Sequence, residues 1–554
     1  MRTALPPLLL PRRARRIRVS TVLLAALLAM PLGPLRAQHT SEPSQLPSLG
    51  DVDGMSVAEE RRLGDRIARD IYRDPDYLDD PLLGDYLQRL WQPLLTAARA
   101  RGEITPELAE RMAWELMISR DRRVNAFALP GGYFGVHLGL IAVTDTSAEL
   151  ASVLAHELSH VSQRHIARML TRQDKAAPWI IGAMILGALA ARNNVDVANA
   201  AIAGSQAVAA QTQLNFSRDM EREADRVGFS VLTGAGFEGE GFVSMFEKLQ
   251  QASRLNDDGS FPYLRSHPLS SERMADMKAR LPMGGLGTVS GPRVTAAPGQ
   301  AVVPGPGPGL NLALPRDGFN PAMALPPAAL HPLMAARARV LAENGPDRLR
   351  AWLASGQAEQ VRPGDRYAAA WAAHRLGQPA LAVQLAQRLR EEVPPEVAWV
   401  ADALWMEVVL APAHPRTPTQ LAELARLRDQ ALAAGDRGRL LLGAQAAMAT
   451  STPRPAASRL QTWVVNHPRD ALAWQTLSAV YRTQGQTLRA VRAEAEAHVA
   501  MRDYSGALER LRAAQAIPAA QRAADPVEMA VVDARTREVQ TLLRQAEQAD
   551  RDGL

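Results

Sequence analysis

The order of apolar and polar residues divides the first part of the chain into helical and extended segments. From about Ser56 to Met117, apolar residues recur at helical spacing, which predicts helices over this stretch. These residues include Leu63, Ile67, Ile71, Leu83, Tyr86, Leu87 and Leu90. Between Arg123 and Val143, two runs of β-type residues flank Pro130-Gly131-Gly132, which predicts strands joined by a turn.

Two more helices are predicted, one on each side of an apolar insertion. Thr146 and Glu149 have the spacing of a capping box at the start of the first helix. Its predicted buried stripe comprises Leu150, Val153, Leu154, Leu158 and Val161. The second helix is predicted to run from near Ser217 to Thr233, with glycines behind it as a stop signal.

The insertion, residues 171–214, contains two stretches that are apolar or alanine-rich on every side. They cover residues 177–191 and 197–210, and neither is long enough to span a bilayer readily. Two interpretations remain open. The stretches form a buried helical hairpin, or they form a mobile lid or an apolar surface that contacts a partner or a membrane.

The second half of the chain is predicted to be a separate domain of helical repeats. Residues 283–327 are dense in proline and glycine, which indicates a linker, and residues 328–554 show helical periodicity. Ala456 and Ala490 occupy equivalent positions 34 residues apart, which is the period of a tetratricopeptide unit. Other matching positions are Ala382, Leu389, Pro394, Leu460, Trp463, Pro468, Trp474, Leu477 and Tyr481. We predict an α-solenoid of tetratricopeptide-like helix pairs with a concave groove for peptides or partners; a plain helical bundle is the alternative.

The first 37 residues have the layout of a secretory signal. They contain seven arginines and no acidic residue, and an apolar run covers residues 19–30. We predict cleavage after Ala37; an uncleaved anchor is the alternative, and paired arginines also allow a twin-arginine export route. Without those seven arginines, 56 basic residues remain against 58 acidic ones in this chain of 554, so the charge gives no case for nucleic acid. The chain has no cysteine, which excludes disulfides, thiolate ligands and lipid attachment to cysteine.

Candidate chemistry is concentrated in His156-Glu-Leu-Ser-His160. Two histidines four residues apart share one helix face and can reach the same zinc ion. Glu157 projects beside them, where a carboxylate can take a proton from an activated water. A catalytic zinc site needs a third protein ligand and an open position. No third histidine follows at the spacing that would supply this ligand, so we expect a carboxylate. His165 is expected to lie on the surface.

The best candidate carboxylates lie on the helix after the insertion. Glu221 and Asp225 are four residues apart and share a face. One can bind zinc while the other accepts the outer N–H of a liganding histidine. Glu223 lies on another face and is expected to be solvated. The alternative is a charged helix with internal pairs to Arg218, Arg222 and Arg226, and spacing alone does not decide between the two.

Four segments occur in a fixed order and together resemble a known family. They are Asn125-Ala-Phe-Ala-Leu-Pro-Gly-Gly132, His156-Glu-Leu-Ser-His160, Glu221-Arg-Glu-Ala-Asp225 and His267-Pro-Leu-Ser-Ser-Glu-Arg273. This set resembles the peptidase family of the CAAX prenyl proteases and the HtpX heat-shock proteases. With a signal before it and repeats after it, the chain resembles the periplasmic members of that family that act in outer-membrane protein assembly. Specific motifs support the resemblance over about residues 45–282, and architecture alone supports it over the repeats.

The resemblance implies a fold and a set of ligands. It implies a gluzincin-type metallopeptidase domain over residues 38–282, mainly α with a small β-sheet, that binds one zinc ion per chain. His156, His160 and Glu221 would be the ligands, Glu157 the catalytic base, and Asp225 the support for a liganding histidine.

The resemblance also implies roles outside the ligand set. An edge strand that pairs with extended substrate would be formed by Asn125, Ala126, Phe127, Ala128 and Leu129. His267 and Arg273 would lie near the metal, where either could assist the oxyanion. His267 could instead cap the zinc as a reversible latch that keeps the site inactive until a substrate arrives.

The implied function is a periplasmic zinc endopeptidase, peripheral to the outer membrane, that degrades misfolded or stalled outer-membrane proteins and assists their assembly as a chaperone. Expected partners are unfolded or misfolded polypeptides and, through the repeats, the outer-membrane assembly machinery. Contact with a membrane through residues 177–191 is also expected. Nucleic acid is not expected to be a partner. Two alternatives stay open. One is a non-proteolytic chaperone or scaffold that acts through its repeats. The other is a membrane-embedded protease of the HtpX type, which the shortness of the apolar runs disfavours.

Overall fold

The computed structural model describes residues 55–172, 216–255, 260–281, 325–412, 414–519 and 525–551. The predicted signal at 1–37, nearly all of the insertion at 171–214 and nearly all of the linker at 283–327 lie outside these described residues. The described residues all belong to one structural unit, Asp53–Leu554.

The first half of the described chain combines helices with a small sheet. The helices are α1 (Val57–Ile71), α2 (Pro81–Ala100), α3 (Pro106–Arg111), α4 (Leu138–Val143), α5 (Ser147–Ser162), α6 (His165–Arg172), α7 (Arg218–Gly234), α8 (Glu240–Leu255), α9 (Tyr263–Ser266) and α10 (Ser271–Arg280). The strands are β1 (Tyr77–Leu78), β2 (Glu115–Ser119), β3 (Ala126–Leu129) and β4 (Tyr133–His137). A 3-10 turn, Pro130–Gly132, joins β3 to β4.

The sheet has the strand order β1-β2-β4-β3 and mixed directions. β2 runs parallel to β4, whereas β1 is antiparallel to β2 and β3 is antiparallel to β4. β4 is buried along its whole length, and β3 forms an edge of the sheet. The Phe127 ring of β3 lies over Gly135 of β4, where a Cβ atom would be 2.2 Å from the ring. Only glycine at position 135 allows this close packing of edge strand on neighbour.

Helix α5 is the centre of this half of the molecule. It packs against β3 and against α2, α7 and α8. The five residues of the predicted stripe are buried, and so are all the remaining residues from Ala148 to Ser162. The helix is therefore enclosed by other elements rather than amphipathic.

The second half of the described chain is helical throughout. Its helices are α11 (Leu330–Leu341), α12 (Pro346–Ser355), α13 (Pro363–Arg375), α14 (Pro379–Glu392), α15 (Ala398–Leu410), α16 (Pro418–Ala433), α17 (Arg437–Ala449), α18 (Pro453–Asn466), α19 (Ala471–Thr483), α20 (Thr487–Ala500), α21 (Tyr504–Gln515) and α22 (Pro526–Arg551). From α12 onward each helix packs against the next. Ala456, Leu477 and Ala490, three of the predicted repeat positions, are buried between neighbouring helices. The prediction of a mainly α chain with a small sheet and a helical C-terminal region is confirmed.

The two halves share one hydrophobic core and several ion pairs. Leu90, Leu154 and Leu404 belong to the same buried cluster, although they come from α2, α5 and α15. Arg437 at the start of α17 donates to both carboxylate oxygens of Asp79 at 2.8 and 2.7 Å. The helices of the second half are thus fixed against the sheet and helices of the first half.

Two of the sequence-based assignments were wrong. The helical pattern was extended to Met117, but Glu115–Ser119 is strand β2, because pairing with β4 outweighs the helical preference of Leu116 and Met117. The extended segment was carried to Val143, but Leu138–Val143 is helix α4. There Gly139 lies so close to the Arg122 carbonyl that an added Cβ would be 2.1 Å from its oxygen, and its amide donates to the Asp121 carbonyl instead of continuing the sheet.

None of the described helices is both long enough and apolar enough to cross a membrane.

Candidate metal centre

Residues around Thr146 start the helix that contains the histidine pair. The Thr146 hydroxyl accepts a hydrogen bond from the Glu149 amide at 3.1 Å and so caps α5. The Glu149 carboxylate accepts from the Asp145 amide at 2.7 Å and from Lys248 at 2.8 Å. The cap is therefore present, whereas the reciprocal contact of the predicted capping box is replaced by these two.

His156 and His160 project from the same side of α5. Their Nε2 atoms are 3.0 Å apart, and both side chains are buried. Glu157 is also buried, and its Oε2 accepts a hydrogen bond from the Ala128 amide at 3.0 Å. This contact fixes the carboxylate between the histidine pair and the edge strand.

Helix α7 brings its carboxylates to the histidine pair because it approaches α5 closely. Gly228 lies where an added Cβ would be 3.2 Å from the backbone of Ala155. Glu221 then reaches both histidines: its Oε2 is 3.5 Å from His156 Nε2, and its Oε1 is 3.4 Å from His160 Nε2.

Asp225 lies one turn further along α7 and contacts the outer side of one histidine. Its Oδ1 is 3.0 Å from His156 Nδ1, the ring nitrogen that faces away from His160. Arg273 donates to both Asp225 oxygens at 2.6 and 2.8 Å and lies 2.8 Å from Glu221 Oε2. Arg273 thus joins the two carboxylates of α7.

His267, between α9 and α10, completes the cluster. Its Nδ1 is 3.0 Å from Glu221 Oε1 and 3.4 Å from His156 Nε2. Its Nε2 is 3.5 Å from Glu157 Oε1. One donor atom from each of His156, His160, Glu221 and His267 lies within 4.8 Å of every other, which makes this buried group a candidate metal site.

The carboxylates of the cluster differ in their tendency to ionise. Burial opposes the charge on Glu221, but His267, His156 and His160 outweigh it and hold its pKa well below the usual range. Burial also opposes the charge on Asp225, whose pKa is nevertheless lowered by hydrogen bonds from Arg273 and His156. In contrast, burial raises the pKa of Glu157. The site thus combines two stable anions with one carboxylate suited to accept a proton.

The edge strand presents backbone groups beside this cluster. The Asn125 carbonyl accepts from the His137 amide, so residues 125, 127 and 129 pair with β4. The backbone of Ala126 and Ala128 therefore points away from the sheet, and the Ala128 amide meets Glu157. All predicted site residues are brought to one region, with Asn125–Leu129 on the side of Glu157.

One prediction about the neighbouring residues was wrong, and a second holds only in part. His165 was expected on the surface but is fully buried, with its Nδ1 2.9 Å from His160 Nδ1. Glu223 was expected to be solvated; its side chain is 34% exposed, and its carboxylate also contacts His165 Nε2 at 3.0 Å and Arg168 at 2.9 Å. The helix is broken at Arg164, which has a positive φ of 52°, and this break returns His165 to the cluster.

Two aromatic residues of the site were missed in the sequence. The Phe216 ring stacks on His160 with 3.8 Å between centroids, and the Tyr263 ring stacks on His267 at 4.6 Å. Phe216 directly precedes the Ser217 cap of α7, and Tyr263 lies four residues before His267. Their proximity to the motifs in the sequence could have indicated a role in the site, but only the fold shows that these rings contact the imidazoles.

Comparison with known proteins agrees with this geometry. Residues 86–281 match peptidase family M48, a range that contains β3, α5, α7 and the His267 segment. The beta-barrel assembly-enhancing protease of Escherichia coli is 31% identical over 258 residues, which is 46% of this chain and 50% of that protein. The Yersinia pestis protein of the same name is 32% identical over 266 residues, 47% of this chain and 53% of its own length. A mitochondrial metalloendopeptidase of Arabidopsis thaliana is 32% identical over 164 residues, 30% of this chain and 31% of that protein.

These similarities confirm the resemblance that the four motifs indicated. The chain spans about half the length of the beta-barrel assembly-enhancing proteases that it matches. Its first half therefore contains a domain of peptidase family M48, of the type found in the beta-barrel assembly-enhancing proteases.

Proposed function

We propose that this protein is a zinc-dependent endopeptidase in which His156, His160 and Glu221 bind the metal. The observation that supports this most directly is the convergence of these three side chains from two helices, with Glu157 beside them. Imidazole nitrogen and carboxylate oxygen are ligands that zinc prefers. Zinc–ligand bonds of 2.0–2.1 Å place tetrahedral ligands about 3.3 Å apart. The two imidazole Nε2 atoms are 3.0 Å apart, and the Glu221 carboxylate lies 3.5 Å from His156 through Oε2 and 3.4 Å from His160 through Oε1, which fits that size.

In the proposed reaction, Glu157 is the general base. Zinc at this site would supply a Lewis acid that activates water and offsets negative charge on the scissile carbonyl. Glu157 takes the proton of the attacking water and delivers it to the leaving nitrogen. Burial raises the pKa of Glu157, which favours proton uptake, and the Ala128 amide keeps its carboxylate in place.

Substrate is proposed to bind as an added strand along β3. The Ala128 carbonyl faces outward and can accept a hydrogen bond from an extended peptide of any sequence, whereas the Ala128 amide already donates to Glu157. Ala126 also faces outward but is 0% exposed, so its backbone can pair with substrate only after the residues that cover it have moved. This mode needs an unfolded segment, because a strand inside a folded domain already has its backbone partners. Misfolded or unassembled chains are therefore the proposed substrate class.

His267 is proposed to act as a latch, and Arg273 and Asp225 to position the ligands. His267 Nδ1 lies where a fourth ligand would be, so a substrate carbonyl must displace it. Arg273 is almost fully buried and already bound to Asp225, Glu221 and the Pro268 carbonyl, which favours support over contact with substrate.

The decisive experiment compares wild type, Glu157→Gln and His267→Ala for zinc content and for casein cleavage. We expect Glu157→Gln to retain fold and zinc but to lose cleavage, because glutamine cannot accept the proton. His267→Ala should cleave faster than wild type if the histidine is a latch, and slower if it stabilises the oxyanion. Cleavage by purified Glu157→Gln at the wild-type rate would contradict the proposed mechanism.

The biological setting is proposed from the relatives. Proteins named beta-barrel assembly-enhancing proteases are similar to this chain, and its first 37 residues have the layout of an export signal. We therefore place it in the periplasm, acting on outer-membrane proteins, with the repeats as the site for partners of the assembly machinery.

A second candidate is a non-proteolytic chaperone or scaffold. The specific observation in its favour is that His267 gives the site four protein donors, as closed structural zinc sites have. Complementation of a deletion strain distinguishes the two functions. A scaffold works equally well as wild type or Glu157→Gln, whereas a protease does not.

A further inference from the structure

His165 and Glu223 lie next to the candidate metal centre, but the proposed reaction uses neither of them. His165 is 0% exposed, so its two ring nitrogens must find their hydrogen-bond partners within the protein. Its Nδ1 is 2.9 Å from His160 Nδ1, and its Nε2 is 3.0 Å from Glu223 Oε2. The three side chains form one continuous line of hydrogen bonds that ends at the ring nitrogen of His160 facing away from His156.

Only one direction of donation suits this line. An ionised Glu223 can only accept, so the Nε2 of His165 must carry the hydrogen and donate it. The His165 Nδ1 is then a lone pair, which accepts a hydrogen bond from His160 Nδ1–H. That tautomer leaves the Nε2 of His160 unprotonated and directed at Glu221, as binding of a metal requires.

The local backbone is built to make this contact. On a continuous helix, a residue five positions after His160 would point well away from it. Arg164 adopts a positive φ of 52°, which separates α5 from α6 and places His165 at the first position of α6. Arg168, one turn later, contacts Glu223 at 2.9 Å and keeps the carboxylate at His165.

We infer that His165, oriented by Glu223, is a positioning residue that fixes the tautomer and ring orientation of His160. This inference rests on the proposed zinc function and deepens it. Helix α7 would then support both liganding histidines: Asp225 contacts the outer nitrogen of His156 directly, and Glu223 reaches that of His160 through His165. The two supports differ, because one is a buried carboxylate and the other an imidazole backed by a partly exposed carboxylate.

The test measures zinc affinity of the full chain by chelator competition in three variants. His165→Leu removes the acceptor for His160, and we expect zinc binding to weaken by about 10–100-fold, the usual effect of losing such a support. His165→Asn provides an oxygen near the position of Nδ1, and should bind zinc within a few-fold of wild type. Glu223→Ala alters only a partly exposed side chain, and should weaken zinc binding by less than His165→Leu does.

Two further readouts separate positioning from packing. The absorption spectrum of the cobalt-substituted protein should change in His165→Leu and remain wild-type-like in His165→Asn, because the spectrum depends on ligand geometry. Melting temperatures of the metal-free variants serve as the control for folding. Should His165→Leu fail to fold, the comparison of Glu223→Ala with wild type, in affinity and in cobalt spectrum, decides the question.

Wild-type affinity in His165→Leu would overturn the inference, and so would equal losses in His165→Leu and His165→Asn. Wild-type affinity together with a wild-type cobalt spectrum in Glu223→Ala would overturn it as well, because the inference requires Glu223 to orient His165. None of these results would contradict the proposed zinc endopeptidase function. Failure of the wild-type protein to bind zinc would instead reject the proposed function itself.

Discussion

Replacement of Arg337 by methionine should weaken the contact between the two halves of the described chain and lower the free energy of unfolding. The Arg337 side chain is 3% exposed and donates to both oxygens of Asp80 at 2.8 and 2.7 Å. It also donates to both oxygens of Glu407 at 2.8 and 2.7 Å and to the Tyr367 hydroxyl at 2.8 Å. Asp80 caps α2 in the first half of the described chain, whereas Arg337, Tyr367 and Glu407 belong to α11, α13 and α15 in the second half.

The size of the stability loss depends on the contacts that remain after the guanidinium is removed. Methionine fills most of the arginine stem, so packing is largely kept, but Asp80 and Glu407 become two neighbouring carboxylates with no cation between them. Removal of one partner of a buried ion pair costs about 3–5 kcal/mol, and we expect a value in the upper half of this range. Arg348→Met is the matched control, because Arg348 is 63% exposed and its pair with Glu343 is worth at most about 1 kcal/mol.

Urea unfolding, followed by circular dichroism, measures both variants on the same scale. A loss in Arg337→Met no larger than in Arg348→Met would refute the reasoning, since it would mean that the carboxylates are relieved by water or protonation at little cost. Adding Asp80→Asn and Glu407→Gln to Arg337→Met should recover much of the lost stability, because the unpaired charges are then gone.

Two further predictions concern the close packing at Gly228 and the raised pKa of the Asp85 carboxyl. Gly228→Val places side-chain atoms about where a Cβ would lie 3.2 Å from the Ala155 backbone. It should lower the free energy of unfolding in urea by about 1–3 kcal/mol and weaken zinc binding in a chelator assay. The control Gly435→Val, where an added Cβ would have no neighbour within 4 Å, should change neither quantity. Burial and the nearby Asp436 raise the pKa of Asp85 to about 7, above that of the unfolded chain, so its ionisation opposes folding as pH rises from about 4 to 7. Asp85→Asn should therefore stabilise the protein by about 1–2 kcal/mol at pH 8 and not at pH 4; equal unfolding free energies for variant and wild type at pH 8 would contradict this.

Local rules in the sequence already determined much of this protein. The spacing of His156 and His160 places both rings on one face of α5. The same spacing places Glu221 and Asp225 on one face of α7. Caps at Thr146 and Ser217 set the starts of α5 and α7 to within a residue. These features depend on contacts within one turn of helix, so they can be read without the fold.

Other features depended on contacts between distant segments, and only the tertiary structure decided them. Spacing could not show which carboxylate of α7 meets the inner nitrogens of the histidines; the close crossing at Gly228 places Glu221 there and Asp225 behind His156. β2 is a strand only because β4 lies beside it.

The burial of His165 follows from a single backbone angle at Arg164 that no periodicity encodes. The physical reason is general: periodicity reports which residues share a face of one element, whereas the partner of that face is set by how the elements pack together.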